Sequence, residues 1–399
     1  MHTPARQPEP GSPTDLSGAQ TMAIMLATSV AVVMLNVAPL VEASLQHDAH
    51  LSASEAGAAF SVELAAMGLA SLPAAAWIGR ADAERVARWA YALFIAGSLL
   101  SCVAQASFAQ YVGARGIAGI GAGMLMVLGM SLAARARNPD RLYALVTFVQ
   151  LASGAALLVG LAALPDSEHG VRGVFLVSTA LGVVGILTAR LFSRVGPARM
   201  PPAQPGAAAA PAADRNGVAL PLAFALMFNL VVGAVWPFAA AYAVDTAPVR
   251  VAQILAGATV AGLVGAALAF LVGNRLPHRP LLVAGYLGIL LGAGLLHGAR
   301  NPIGFAAGCC VLSLAWNFSV PYVFAAVAGR DKTGRLMGIA SLAFAAGLAS
   351  GPLLAGMVLD SLGLEALFPT VLAGVAIGMA LTLRMTRQLP RSRQAVHRH

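Results

Sequence analysis

Twelve runs of apolar residues, each about twenty residues long, restrict the fold of this chain more than any other feature. At a rise of about 1.5 Å per residue, a helix formed by one of these runs reaches across the hydrocarbon core of a bilayer, which is roughly 30 Å thick. The sequence therefore predicts an all-α integral membrane protein with twelve transmembrane helices. The runs lie at 21–43, 55–78, 89–108, 110–134, 142–164, 172–192, 219–243, 250–272, 280–298, 302–328, 336–359 and 365–384.

The composition is incompatible with a water-soluble globular protein. Hydrophobic residues make up 58% of the 399 residues and charged residues only 10%, whereas soluble domains have about 25% charged residues. The three cysteines, Cys102, Cys309 and Cys310, all fall inside apolar runs, so they offer neither a disulfide framework nor the spacing of a zinc site. We predict no metal and no cofactor, and we interpret His47 in its short polar loop as a solvated residue.

A stretch rich in Pro, Ala and Gly separates the sixth apolar run from the seventh. It lacks apolar periodicity, which is typical of a flexible linker. Arg141-Leu142 recurs as Arg335-Leu336 in the other half, and such a weak parallel repeat favours two pseudo-symmetric six-helix bundles. We predict a cytoplasmic N-terminal tail at 1–20, an N-terminal bundle at 21–192, a cytoplasmic linker at 193–217, a C-terminal bundle at 218–384 and a basic cytoplasmic tail at 385–399.

The basic residues follow the pattern of a topology signal. Nearly all of the 25 Arg and Lys residues lie in alternate gaps between the apolar runs, and the other gaps contain only Arg172, Arg250 and Arg300. Because Arg and Lys accumulate in cytoplasmic loops, both termini are predicted to be cytoplasmic. Orientation in the membrane thus accounts for the net charge of +9, and no nucleic-acid partner is predicted.

Two charged residues, Glu63 and Arg115, lie deep within apolar runs. A charge at the centre of a span costs on the order of 2.5–3.5 kcal/mol on insertion scales, so each requires a reason. Both lie roughly 9–12 Å from the same membrane surface, and we expect them to face each other. Burial favours a neutral carboxyl group and a guanidinium favours an ionised one, so Glu63 is a candidate for proton coupling. The alternatives are a structural ion pair or a carboxylate that reaches the interface.

A glycine-rich face follows Arg115 along the fourth apolar run, with Gly116, Gly119 and Gly123 at a spacing that allows close helix packing. This stretch resembles the motif of major facilitator proteins in which an Arg on the fourth helix precedes a glycine-rich face. The segment 79–88 is similar to the family's signature between helices two and three, with the acidic residue displaced by one position. The resemblance implies a gating role for Gly79, Asp82, Arg85 and Arg88.

The eleventh run also carries glycines at helix-packing spacing, and it resembles a Gly-Pro motif that exporters of this family usually carry on the fifth helix. The residues are Gly347, Gly351, Pro352 and Gly356. Helix five has Gly154-Ala155 here and no proline. Within the family the chain looks most like the drug and sugar efflux permeases of bacteria, which implies the inner (plasma) membrane of a bacterium.

Interior polar residues occur on the first helix of all four predicted three-helix repeats, and in the family those helices line a central cavity. Asn36 lies at the depth of Arg115, and Asn229 and Asn317 lie within the seventh and tenth runs. A single Asn in a membrane helix can instead bond neighbouring helices together. The resemblance implies a substrate cavity formed by Asn36, Arg115, Gln150, Asn229, Trp236, Trp316, Asn317 and Tyr322.

The resemblance implies a monomeric secondary transporter whose partners are the lipid bilayer, a small-molecule substrate and protons. Our leading hypothesis is proton-coupled efflux of a small, largely apolar or amphipathic compound by alternating access. One alternative is a proton symporter that imports a small organic acid and grips its carboxylate with Arg115. Another is a non-transporting receptor or assembly factor. The only His within an apolar run is His297, at the end of the ninth run, and only Glu63 supplies a deep carboxylate, so we do not expect an enzyme.

Overall fold

The computed structural model describes residues 16–72, 81–104, 107–162, 170–193, 215–273, 275–328 and 335–387. These residues form twelve helices, and the all-α prediction is confirmed. The helices are α1 (Gly18–Asp48), α2 (Ala53–Leu69), α3 (Ala83–Val103), α4 (Phe108–Ala133), α5 (Pro139–Ala162), α6 (Gly170–Thr188), α7 (Arg215–Val235), α8 (Pro248–Val272), α9 (His278–His297), α10 (Pro302–Ala328), α11 (Arg335–Leu362) and α12 (Leu367–Arg387).

Ten of the helices in the described residues are long and apolar enough to cross a membrane. The other two are α2, with 17 residues, and α7, whose apolar part is Ala219–Val235. Large apolar side chains such as Phe270 and Ile303, each 80% exposed, lie on the outside of the helices. Such a surface is unfavourable in water and suits lipid acyl chains, so the chain is a multi-pass membrane protein.

The first helix is interrupted at Val32, which divides α1 into Gly18–Ala31 and Val33–Asp48. At the break the N–H of Val32 donates to the carbonyl oxygen of Ser29 at 3.2 Å, a tighter turn than the α-helical pattern. The helix begins with a capping box, in which Ser17 and Gln20 bond each other's backbone N–H groups.

Several predicted helix boundaries are wrong: α1 runs to Asp48 and not 43, and α2 ends at Leu69 and not 78. Two further boundaries are explained by single residues. The seventh apolar run predicted a helix to residue 243, but α7 ends at Val235 and a 3₁₀ turn follows at Ala239–Tyr242. Pro237 explains this end, because the residue before a proline is driven out of the helical region. The third run predicted a start at residue 89, whereas α3 begins at Ala83 since Asp82 caps its first turn.

The helices form two compact units. The first contains the described residues within 1–37, 62–157 and 164–210, and the second those within 38–61, 158–163 and 211–399. In the first unit α3 packs on α4 and α6, while in the second unit α7 packs on α11 and α12, and α10 packs on α8 and α9. Most of the predicted linker, 194–214, lies outside the described residues, so the division at 193–217 stays a prediction.

Candidate functional site

Glu63 on α2 and Arg115 on α4 form a bidentate ion pair inside the first unit. Nε of Arg115 donates to Oε2 of Glu63 at 3.0 Å, and Nη2 of Arg115 donates to Oε1. Arg115 is 2% exposed and Glu63 is 5% exposed. The contact expected from their similar depth is therefore present. Each charge compensates the other, which is the condition for keeping either one in a membrane interior.

Glycines allow α4 to approach α2 closely beside this pair. Arg115, Gly119 and Gly123 are four residues apart and so share one face of α4. A β-carbon at Gly119 would collide with the backbone oxygen of Glu63, and one at Gly123 would collide with that of Met67. Gly116 differs, because a β-carbon there would make only an ordinary contact, 3.6 Å from Cγ1 of Val62. Two of the three glycines thus maintain the close approach.

Arg115 is also held by two residues that the sequence did not single out. Its Nη1 donates to Oγ of Ser101 on α3 at 3.3 Å, and Ser101 Oγ in turn donates to the carbonyl oxygen of Gly97 at 2.7 Å. Its Cζ lies 5.0 Å from the centre of the Phe175 ring on α6, within the range of a cation–π interaction. The guanidinium therefore contacts three helices in addition to its own.

This arrangement defines what the pair can do chemically. An arginine side chain does not give up its proton in proteins, so only Glu63 can change charge. Arg115 has contacts with Ser101 and Phe175 that do not involve Glu63.

Asn36 and Gln150 join α1 to α5 through the backbone. Asn36 Nδ2 donates to the carbonyl oxygen of Gln150 at 3.1 Å, and Gln150 Nε2 donates to that of Thr28 at 3.2 Å. Gly154 lies one turn farther along α5, where a β-carbon would collide with the Asn36 amide. Both side chains are half-buried, and these bonds match the alternative reading of such residues as connections between helices.

In the second unit, three of the expected cavity residues lie on or just after helices α7 and α10. Asn229 is 0% exposed, and neither of its amide atoms has a hydrogen-bond partner among the described residues. Trp316 is half-buried, and its Nε1 also has no partner within those residues. Trp236 is 4% exposed and follows the end of α7. Polar atoms without a partner, such as those of Asn229 and Trp316, are uncommon in a protein interior, so they mark positions where a water or a ligand would find partners.

Asn317 and Tyr322 instead contact α8. Asn317 Nδ2 donates to the carbonyl oxygen of Ser313 at 3.0 Å, and its amide lies where a β-carbon at Gly262 would collide. The hydroxyl of Tyr322 donates to the carbonyl oxygen of Ala269 at 3.0 Å. Both side chains therefore connect α10 to α8.

A buried carboxylate that the sequence reading passed over lies on α1. Glu42 is 1% exposed and lies in the wall of a cavity of about 330 Å³ in the second unit. Pro39, Gln46, Pro237 and Phe238 contribute to the same wall. Glu42 is the next-to-last residue of the first apolar run, and its burial shows that the expectation of Glu63 as the only deep carboxylate is wrong.

The segment that resembles the gating signature forms local contacts at the start of α3. Gly79 lies outside the described residues. The carboxylate of Asp82 accepts a hydrogen bond from the N–H of Glu84 at 3.1 Å, and Arg88 pairs with Glu84 one turn away. Arg85 is exposed. These contacts cap and stabilise α3, and a gating role stays a prediction.

The motif on α11 packs against backbone on two sides. β-Carbons at Gly347 and Gly351 would collide with Leu226 and Gly233 of α7, respectively, and one at Gly356 would collide with the first turn of α2. Pro352 lies inside α11, and its carbonyl oxygen lies where a β-carbon at Gly57 of α2 would be. These four residues therefore bring α11 close to α7 and α2.

The helical fold, with a buried ion pair within one unit and orphaned polar groups within the other, is that of a polytopic membrane transporter. Residues 21–329 match the family model of the Major Facilitator Superfamily, and the chain belongs to that family. Its members are transporters and not enzymes. Among curated protein sequences, none matches this chain.

Solved structures of transporters share the fold over nearly the whole chain. A D-xylose–proton symporter is 17% identical with a TM-score of 0.75, and the alignment covers 94% of this chain and 97% of that one. A mutant of the nucleoside transporter NupG is 10% identical with a TM-score of 0.75, covering 93% and 100%. The inward-open xylose transporter XylE from E. coli is 16% identical with a TM-score of 0.73, covering 93% and 96%. At these identities the likeness concerns the fold alone.

Proposed function

We propose that this protein is a proton-coupled secondary transporter of a small organic molecule, in which Glu63 carries the coupled proton during alternating access. The buried bidentate pair of Glu63 with Arg115 is the observation that supports this proposal. A purely structural pair could be replaced by apolar side chains at little cost, whereas a coupling site needs a carboxylate whose charge changes.

Proton uptake changes the contacts of Glu63 more than those of Arg115. The hydrogen bonds of Glu63 to Arg115 tie α2 to α4, and protonation converts them from an ion pair to weaker neutral contacts. Arg115 retains Ser101 and Phe175. We infer that proton uptake loosens α2 on α4, and that proton release restores the pair.

We propose export as the direction and an apolar or amphipathic compound as the substrate. Arg115 is 2% exposed and its donors already bond Glu63 and Ser101, so a substrate carboxylate would have to displace Glu63 to reach it. The Gly-Pro motif that exporters of the family usually carry on helix five lies on α11 here, so the proposal of export rests on the buried position of Arg115. We also propose that the protein is a monomer in the inner membrane of a bacterium. Within the family, we propose that it belongs to the branch of drug and sugar efflux permeases.

Import by proton symport is the second candidate. The likeness to a D-xylose–proton symporter supports it, since that relative couples a small polar substrate to protons on the same fold. A symporter also needs a proton site, so Glu63 would keep its role. The two proposals differ in whether substrate and proton move in opposite directions or together.

Everted membrane vesicles from cells that express the protein separate the two directions. With an interior-acid gradient imposed, an antiporter accumulates an amphipathic dye such as ethidium, and a symporter of a sugar or organic acid does not. We expect dye accumulation that disappears when a protonophore collapses the gradient. Proton-dependent uptake of xylose or lactate by intact cells, without dye accumulation in vesicles, would replace export by import. If the protein exchanges none of these probes in a counterflow assay, that result would favour the hypothesis of a non-transporting receptor.

A further inference from the structure

The cavity of about 330 Å³ in the second unit lies beside the last turns of α1. Pro39, Glu42, Ala43, Gln46 and His47 line it from that helix, and their spacing puts them on one face of α1. Its volume is at the lower end of the range that small-molecule sites have. The cavity is therefore large enough for a small organic compound.

Along α1 the cavity extends from an exposed residue to a buried carboxylate. The side chain of His47 is 90% exposed and bonds Asp48, so this end of the cavity is open to solvent. Glu42 is 1% exposed and lies about 7.5 Å earlier along the helix axis. Between them, the half-buried amide of Gln46 can both donate and accept a hydrogen bond. A compound that enters past His47 thus approaches Glu42 last.

The opposite wall of the cavity is apolar. It consists of Pro237, Phe238 and Ala241, which belong to the turn between α7 and α8. These side chains offer carbon surface and no polar atom, and the phenyl ring of Phe238 can stack on an aromatic group. One polar wall and one apolar wall suit a compound that is itself amphipathic.

The charge around the cavity favours a cation. Glu42 is the only residue in the wall with a formal charge at neutral pH, because no Arg or Lys lines the cavity. The two stretches that supply the walls, 38–61 and 236–250, contain Glu42, Asp48, Glu55 and Asp245 but only one basic residue, Arg250. A cleft with walls of one sign attracts the opposite charge. An anion, such as the phosphate of a lipid headgroup, finds no charged partner in this wall.

We propose that this cavity is a binding site for a small amphipathic amine in its cationic form, with the ammonium group near Glu42 and the apolar part against Phe238. The orientation predicted from the basic residues puts the end of α1 on the external side, so the amine enters from outside. The proposal goes beyond the proposed transport, because it requires neither proton exchange at Glu63 nor passage of the amine across the membrane.

Binding of radiolabelled phenethylamine and phenethyl alcohol to the purified full chain in phosphatidylcholine nanodiscs tests the site. The two probes have nearly the same shape, and only the amine is a cation at neutral pH. Protein-free nanodiscs correct for partition into lipid. We expect saturable binding with preference for the amine. Glu42→Gln should weaken amine binding roughly 10- to 100-fold, as for loss of a hydrogen bond between charged groups, and leave alcohol binding unchanged.

Asp48→Asn is the matched control, because Asp48 is an exposed carboxylate near the end of α1 that does not line the cavity. It should retain amine binding. Ala43→Leu is the second variant, and it decides the question if Glu42→Gln does not yield folded protein. The larger side chain fills the cavity from α1 and should abolish binding of both probes. Equal affinity for the two probes, an equal loss in Asp48→Asn and Glu42→Gln, or unchanged amine binding in Ala43→Leu would overturn the proposal.

Discussion

Arg115 donates a hydrogen bond from Nη1 to Oγ of Ser101 at 3.3 Å, so its guanidinium keeps a polar contact that does not involve Glu63. This contact leads to the first prediction, for Ser101→Ala. A hydrogen bond to a charged group contributes about 1.5–3 kcal/mol, and the variant should lose stability of that order. Thermal unfolding in detergent measures it.

Ser98→Ala provides the control for that measurement. Ser98 is also a buried serine on α3, but its Oγ has no hydrogen-bond partner among the described residues. Its replacement should be neutral or slightly stabilising. Equal losses in the two variants would show that the bond from Arg115 contributes nothing.

The second prediction concerns the close approach of α4 to α2. Gly119→Ala inserts a methyl group against the backbone oxygen of Glu63, and overpacking of this kind costs about 1–3 kcal/mol. Gly116→Ala on the same helix meets only Val62 at 3.6 Å and should be neutral or stabilising by up to about 1 kcal/mol through helix propensity. The yield and melting temperature of the two proteins measure the difference. A Gly119→Ala protein as stable as the Gly116→Ala protein would contradict the packing account.

The extent to which the sequence predicted this site depended on charge and size. Glu63 and Arg115 were found because a charge in an apolar run is conspicuous, and Gly119 because small residues at four-residue spacing pack closely. Ser101 and Phe175 were missed, since a serine and a phenylalanine are ordinary in a membrane helix. Their role depends on which neighbours the fold brings to them.

Hydropathy likewise predicted only part of the fold. Apolar runs predicted the helices but not their ends, which depend on single residues such as Pro237 after α7 and Asp82 before α3. The capping of α2 by Asp360 could not be predicted either, because Asp360 lies about three hundred positions along the chain from Ala53 and Ser54, from whose N–H groups it accepts hydrogen bonds. Contacts at long sequence separation require the three-dimensional arrangement.

The third prediction is the orientation of the chain. Reporters fused after Arg88, after Arg199 and at the C-terminus should be active on the cytoplasmic side, and one at His47 on the external side. The physical reason is the accumulation of Arg in the loops expected inside. An external C-terminus would contradict an even number of crossings from a cytoplasmic N-terminus.

The fourth prediction is that Glu63 and Arg115 are energetically coupled. Removal of one partner from a buried pair leaves an uncompensated charge and costs about 3–5 kcal/mol, whereas removal of both can be nearly neutral. Glu63→Ala and Arg115→Ala should therefore each reduce stability more than the double variant does. Additive effects in this cycle would mean that the pair contributes no coupling energy.

The central claim is that Glu63 carries the coupled proton, and the most direct measurement compares two kinds of transport in proteoliposomes that contain Glu63→Gln. Glutamine keeps the size of the side chain and cannot take up the proton. With ethidium or the substrate found in vesicle assays, transport driven by a pH gradient should be lost, while exchange of substrate down its own gradient should continue. Glu55→Gln on the same helix, which makes no bond to Arg115, should retain both. Full pH-driven transport by Glu63→Gln would contradict the account.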